Sequence, residues 1–125
     1  MSHSHLDRLL SAVSENEARQ LYEIYPVPGS GLPLFQAATA NINPFTEIKA
    51  DTRNPLRGPM LLIAGERDHI VPAAIATASY RKQRRNSAVT GIQEIPGRGH
   101  SLVFDSGWQD VADVALQFLK EYREN

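Results

Sequence analysis

Apolar positions change their rhythm along this chain. At Ala18, Leu21, Tyr22 and Tyr25 they recur at i, i+3, i+4 and i+7, which predicts a helix with one apolar face. Ser14-Glu15-Asn16-Glu17 opens it as a capping box, the serine accepting from the Glu17 amide while the Glu17 carboxylate reaches back. Pro26 and Pro28 end it, and Gly29-Ser30-Gly31 makes a turn. Leu6, Leu9, Leu10 and Val13 show helical spacing for about two turns. Leu34 to Ala40 predicts a further short helix, stopped near Asn41 and Asn43-Pro44. Residues 1–57 therefore read as small helices on a meandering connection, each with an apolar face that needs a surface to lie on.

At Met60-Leu61-Leu62-Ile63-Ala64 the apolar residues become continuous, as in a strand covered on both faces in a parallel sheet beneath helices. Pro59 is tolerable because it opens the strand, and Gly65 ends it. Pro72 suits the first position of a helix over 72–85, with Asn86 as its stop. Val89 to Ile95 predicts a second strand, weakened by Gly91 inside it, and Pro96-Gly97-Arg98-Gly99 is a loop. Ser106-Gly107-Trp108-Gln109 forms another capping box. Behind it Val111, Ala112, Ala115, Phe118, Leu119 and Tyr122 make a long apolar stripe. Residues 58–125 thus predict a βαβα unit of the α/β class, with a parallel strand pair and a right-handed crossover. Two such strands leave faces and edges uncovered. Either further strands lie in residues 1–57 or another chain completes the sheet.

Composition narrows the partners more than the fold. A chain of 125 residues is one domain or part of one. With a formal net charge of -1, no strong field draws it to nucleic acid or to an acidic membrane. Arg81, Lys82, Arg84 and Arg85 cluster where a helix is predicted to end, which complements the helix dipole. The absence of cysteine excludes a thiol nucleophile, a disulfide frame and a thiolate metal site. No apolar run approaches the ~20 residues that span a bilayer, and no signal-peptide pattern is visible, so the expected location is the cytoplasm. No cofactor is expected.

The candidate chemistry sits past the carboxyl ends of the two strands, where open α/β sheets bind ligands. The turn Gly65-Glu66-Arg67-Asp68-His69-Ile70-Val71-Pro72 carries an acid, Asp68. The loop from Pro96 carries an imidazole, His100, with Gly97 and Gly99 freeing the backbone to bend. Together they supply two roles of an acyl-transfer triad: an acid that fixes a histidine tautomer, and the histidine that serves as base. Taken singly, Asp68 can be a cap for the helix at Pro72 and His100 a polar loop residue. Asp68, His69 and His100 are also a conceivable metal-ligand set, although adjacent residues rarely converge on one ion. The nucleophile is missing. No serine has glycine both two before and two after it: Ser30 has Pro28 and Leu32, and Ser101 has Gly99 and Val103. Asp105 has Val103 where an aspartate elbow needs glycine.

Leu61-Leu62-Ile63-Ala64-Gly65-Glu66-Arg67-Asp68-His69-Ile70-Val71-Pro72, Ile95-Pro96-Gly97-Arg98-Gly99-His100-Ser101 and the ending from Gly107-Trp108 through Phe118-Leu119 resemble the carboxyl-terminal part of an α/β-hydrolase. Residues 14–54 are similar to the cap that such hydrolases insert before this part, above all Glu17-Ala18-Arg19-Gln20-Leu21-Tyr22-Glu23 and Pro28-Gly29-Ser30-Gly31. The resemblance covers nearly the whole chain but only the second half of the family's domain. It implies a partial α/β-hydrolase fold, with a short helical cap-like segment before the βαβα unit. It also implies Asp68 as triad acid, His100 as triad base, and a small-molecule ester as substrate. The family's central strands, serine elbow and oxyanion-hole loop have no counterpart. Triads that lose the nucleophile retain ~10³–10⁴-fold catalysis only through the oxyanion hole and binding. Little or no esterase activity is therefore expected of the lone chain. Two arrangements follow: a hydrolase half completed by a complementary chain, or a non-catalytic homodimer that serves binding or assembly.

Overall fold

The architecture is that of a computed structural model, which describes residues 12–24, 32–33 and 50–123. The helical spacing at Leu6 to Leu10, the ending at Pro26 to Gly31 and the helix expected over Leu34 to Ala40 lie outside the described residues. In chain order the elements are α1 (Glu15–Ile24), β1 (Met60–Gly65), α2 (Ala73–Gln83), β2 (Thr90–Ile95) and α3 (Trp108–Tyr122). Among the described residues this is a mixed α/β arrangement of three helices and a two-stranded parallel sheet.

The sheet is in simple register, from Met60 opposite Thr90 to Gly65 opposite Ile95. Its two faces can be assigned from adjacent residues, because neighbours on a strand point oppositely. The Thr90 hydroxyl donates to the carbonyl of Gln83 at the end of α2, so even-numbered positions of β2 face α2. A Cβ on Gly91 would lie 3.5 Å from the Phe118 ring, so the next position faces α3. A Cβ at Gly91 would make ordinary contact with Phe118 and would press only on the Leu61 side chain, at 3.2 Å. The two helices cover opposite faces, as the continuous apolar run of β1 predicts.

Coverage is thin. Among the described residues the buried apolar side chains are Ala64, Ile95 and Val111, while Leu61, Leu62 and Ile63 are only half-buried. Burial deepens along β1, whereas in β2 Gln93 and Glu94 are exposed and only the last residue, Ile95, is buried. At the opposite end polar groups knit the unit together. Arg57 donates to the carbonyls of Gly58, Val89, Gln83 and Ala88 and to the Thr90 hydroxyl, tying the end of α2 to the strand starts. Asn86 lies beyond the end of α2 and acts as a staple. Its amide donates to the Thr52 and Asn54 carbonyls, and its oxygen accepts from the Ala88 amide.

Helix starts depart from expectation in three places. Pro72 stands just before α2 as its N-cap, not at the first helical position, with φ -50° and ψ 143°. At α1 the Ser14 hydroxyl accepts from the Glu17 amide at 3.2 Å as a capping box requires. The Glu17 carboxylate instead accepts from the Ser106 amide at 2.7 Å, joining α1 to the approach of α3. At α3 the N-cap is Gly107, with no side-chain cap. Asp105 there takes the capping part expected of Ser106: its carboxylate accepts from the Gly107 amide and its carbonyl from the Trp108 amide.

Among the described glycines, the closest approach of other backbone lies at the end of β1. A Cβ on Gly65 would sit 2.5 Å from the carbonyl oxygens of both Arg98 and Gly99. Gly97, with φ +69°, has open space around its missing Cβ. These two glycines therefore resist alanine for different reasons. Gly97→Ala adds only left-handed strain, about 1–2 kcal/mol. Gly65→Ala forces two carbonyls apart and costs at least the upper end of the overpacking range, about 3 kcal/mol. Urea unfolding followed by circular dichroism is expected to place the Gly65→Ala midpoint clearly below that of Gly97→Ala; the reverse order contradicts the packing at Gly65.

Candidate acid–base site

Two turns leave the sheet side by side. The Glu66 amide continues the ladder to the Ile95 carbonyl at 3.1 Å, and the Arg67 amide donates to the Arg98 carbonyl at 2.8 Å. The Glu66 carboxylate accepts from the Gly97 amide at 2.7 Å. The left-handed φ of Gly97 turns the second loop back toward the first, a conformation that favours glycine. These bonds hold the backbones of 65–68 and 97–100 in one frame.

Asp68 and His100 meet inside that frame. Asp68 Oδ1 accepts from the amides of Ile70 and Val71, at 2.8 Å each. Asp68 Oδ2 lies 2.9 Å from His100 Nδ1. The carboxylate is thus not the cap of α2; it organises its own turn with one oxygen and holds the imidazole with the other. The Asp68 side chain is 8% exposed and that of His100 34%. An ionised carboxylate can only accept, so Nδ1 carries the ring proton and Nε2 is left as the basic nitrogen. Among the described residues Nε2 has no hydrogen-bond partner.

Burial pushes the Asp68 carboxyl up, but the Val71 amide, the His100 ring, the Ile70 amide and the charge of His100 together outweigh it. The net effect holds Asp68 below its ordinary value of 3.8. An ionised carboxylate beside an imidazole fixes its tautomer and orientation.

A second acid fixes the loop behind His100. Asp105 is buried and accepts from the Ser101 hydroxyl at 2.8 Å, from the Gly107 amide at 3.1 Å, and from the Arg98 guanidinium. Arg98 also donates to the Gly107 carbonyl. The amides of Phe104 and Asp105 donate to the Ser101 carbonyl, closing a helical turn immediately after His100. In the sequence Ser101 and Asp105 stand out only as candidate nucleophiles and Arg98 as a loop residue; in the structure all three belong to this network. The Ser-x-x-x-Asp spacing, which places both side chains on one turn, was the signal available for this network.

The Ser101 hydroxyl is committed to Asp105, and among the described residues no hydroxyl is bonded to the His100 ring. His69 is exposed and does not join the pair. Among the described residues no group of three or more His, Cys, Asp or Glu could hold a metal ion, and no helix is long and apolar enough to cross a membrane. No family model, curated protein or solved structure matches this chain. What the arrangement can do therefore follows from its own geometry: an oriented carboxylate–imidazole pair can take a proton on Nε2 and return it.

The two acids respond differently to removal. Asp105→Ala removes the buried carboxylate from Arg98, leaving the guanidinium only the Gly107 carbonyl and the exposed Asp110 at 4.0 Å, and takes the acceptor from the Ser101 hydroxyl. It is expected to cost about 3 kcal/mol, seen as a lower melting temperature. A loss under about 1 kcal/mol would mean that Asp105 does not anchor this loop. Asp68 is read by pH. Its folded pKa is depressed, so its stabilisation is present above 3.8 and is lost as pH falls through the folded value. The urea-midpoint gap between the wild type and Asp68→Asn should stay constant near neutrality and narrow below that range. A gap that widens in acid would reverse the sign of the shift.

Proposed function

We propose that the chain is the acid–base half of a hydrolase of α/β-hydrolase type, acting on esters or related acyl compounds with a nucleophile from another polypeptide. The observation that supports this reading is the 2.9 Å bond between Asp68 Oδ2 and His100 Nδ1, with Nε2 unbonded among the described residues and the imidazole partly exposed. His100 takes the proton of an incoming hydroxyl as that oxygen attacks the acyl carbon. Asp68 stabilises the resulting imidazolium, and His100 returns the proton to the departing alkoxide. Water enters by the same route in deacylation. Within this chain Asp68 fixes the tautomer, while the Arg98–Asp105–Ser101 network and the Gly65 contact position the loops.

A second reading, a non-catalytic homodimer that binds or assembles, is favoured by the half-buried β1 residues Leu61, Leu62 and Ile63. Activity separates the two. Hydrolysis of p-nitrophenyl butyrate is measured for the full chain alone and after mixing with a separately produced amino-terminal half of an α/β-hydrolase that bears a Gly-x-Ser-x-Gly elbow. The lone chain is expected to stay near the rate of an exposed imidazole. Turnover in the mixture should rise and then fall about 10²–10⁴-fold on His100→Ala, the range for a lost general base, and should be indifferent to His69→Ala. Turnover that survives His100→Ala, or no turnover with any elbow-bearing half, would remove the catalytic reading.

A further inference from the structure

The apolar surface of α3 is wider than the sheet can cover. Val111 is buried, Ala115, Phe118 and Tyr122 are half-buried, and Phe118 lies against Gly91 and the Tyr122 ring. A second stripe runs beside this one at spacings of four, four and three: Trp108, Ala112, Leu116 and Leu119. All four are exposed, with Trp108 and Leu116 at 48% and Leu119 at 62%. At 3.6 residues per turn the two stripes are separated by about a quarter of the helix circumference. Exposed apolar residues scattered singly need no explanation, but four aligned on one helix face do.

We propose that this stripe is a homodimer seam in which α3 packs antiparallel on α3 of a second copy, about a two-fold axis near Leu116. A two-fold seam requires a surface complementary to itself. The charges beside the stripe satisfy this. Asp113 and Lys120, both exposed, stand seven residues apart on the same flank, and neither has a charged partner among the described residues. In an antiparallel two-fold pair like flanks face one another, so each Asp113 meets Lys120 of the second copy.

The apolar and charged patterns also share a centre. The midpoint of Ala112 and Leu119 and the midpoint of Asp113 and Lys120 both fall within one residue of Leu116. Packing Ala112 against Leu119 of the second copy brings Leu116 against itself. Asp113 and Lys120 then come within two residues of level, about 3 Å along the axis, which a lysine side chain spans. The antiparallel arrangement also opposes the two helix dipoles. The seam contains neither Asp68 nor His100 and stands apart from their chemistry; a dimer without turnover leaves it intact.

The test is gel filtration with light scattering on the full chain at micromolar concentration. The wild type is expected at twice the 13.9 kDa chain mass. Leu116→Glu should be monomeric with unchanged circular dichroism. Lys120→Glu, which sets acid against acid at both ends of the seam, should raise the dissociation constant about tenfold. The double swap D113K/K120E should restore the wild-type value, a rescue that does not depend on whether Leu116→Glu folds. A monomeric wild type, a dimer unaffected by Leu116→Glu, or a swap that fails to rescue each overturns the seam. A dimer indifferent to Leu116→Glu would move the contact to the strand edges.

Discussion

Two backbones come into contact where Gly65 meets the carbonyls of Arg98 and Gly99, and the candidate chemistry rests on that contact. Any Cβ at this point holds the second loop away from the first. With the loops separated, the Arg67 amide loses the Arg98 carbonyl and the Glu66 carboxylate loses the Gly97 amide. Asp68 and His100 are each rooted in one of these turns, thirty-two residues apart in the chain. A side-chain bond of ordinary strength contributes only about 1 kcal/mol net, too little to draw two free loops together. The parallel ladder and its extension beyond Ile95 carry that entropy cost, and the Asp68–His100 bond forms between groups already placed.

Two carboxylates serve the same loop in different ways. Asp105 gives its oxygens to a guanidinium, a hydroxyl and a backbone amide, and is closed to anything outside. Asp68 spends one oxygen on its own turn and presents the other to an imidazole that remains partly exposed. The first arrangement fixes a backbone; the second orients a partly exposed imidazole. Removing a partner from a buried pair exposes the desolvation cost of the remaining charge, so rigidity at His100 depends on Arg98 and Asp105 together.

The same chain is firm at its strand ends and bare along its helices. Ala64, Ile95 and Val111 are a small apolar centre, while Trp108, Leu116 and Leu119 turn outward on α3. Among the described residues each strand of the sheet has one unpaired edge and α3 has a second apolar stripe, surfaces that gain from association. In the proposed dimer, stability and assembly would be coupled by surface-to-volume scaling: the less a chain buries alone, the more a contact contributes.

Much of this was legible in the sequence. The continuous apolar run at Met60 to Ala64, the breaks at Gly65 and Pro72 and the stripe beginning at Val111 reflect local periodicity, and β1, α2, β2 and α3 follow them to within a few residues. The pairing of Asp68 with His100 could be anticipated because both sit just past strands of one parallel unit, and chain topology alone brings such positions to the same edge. What the sequence left open depends on approach distances. Whether Glu17 reaches back to Ser14 or across to Ser106, whether Ser101 faces an imidazole or Asp105, and which residues of the α3 stripe meet the sheet are decided only once helices and loops are packed. Hydrophobic rhythm specifies which face of a helix is apolar, not how much of that face its neighbours are wide enough to cover. Two strands cover only the part of α3 around Val111 and Phe118, and tertiary packing leaves the part around Leu116 to the outside.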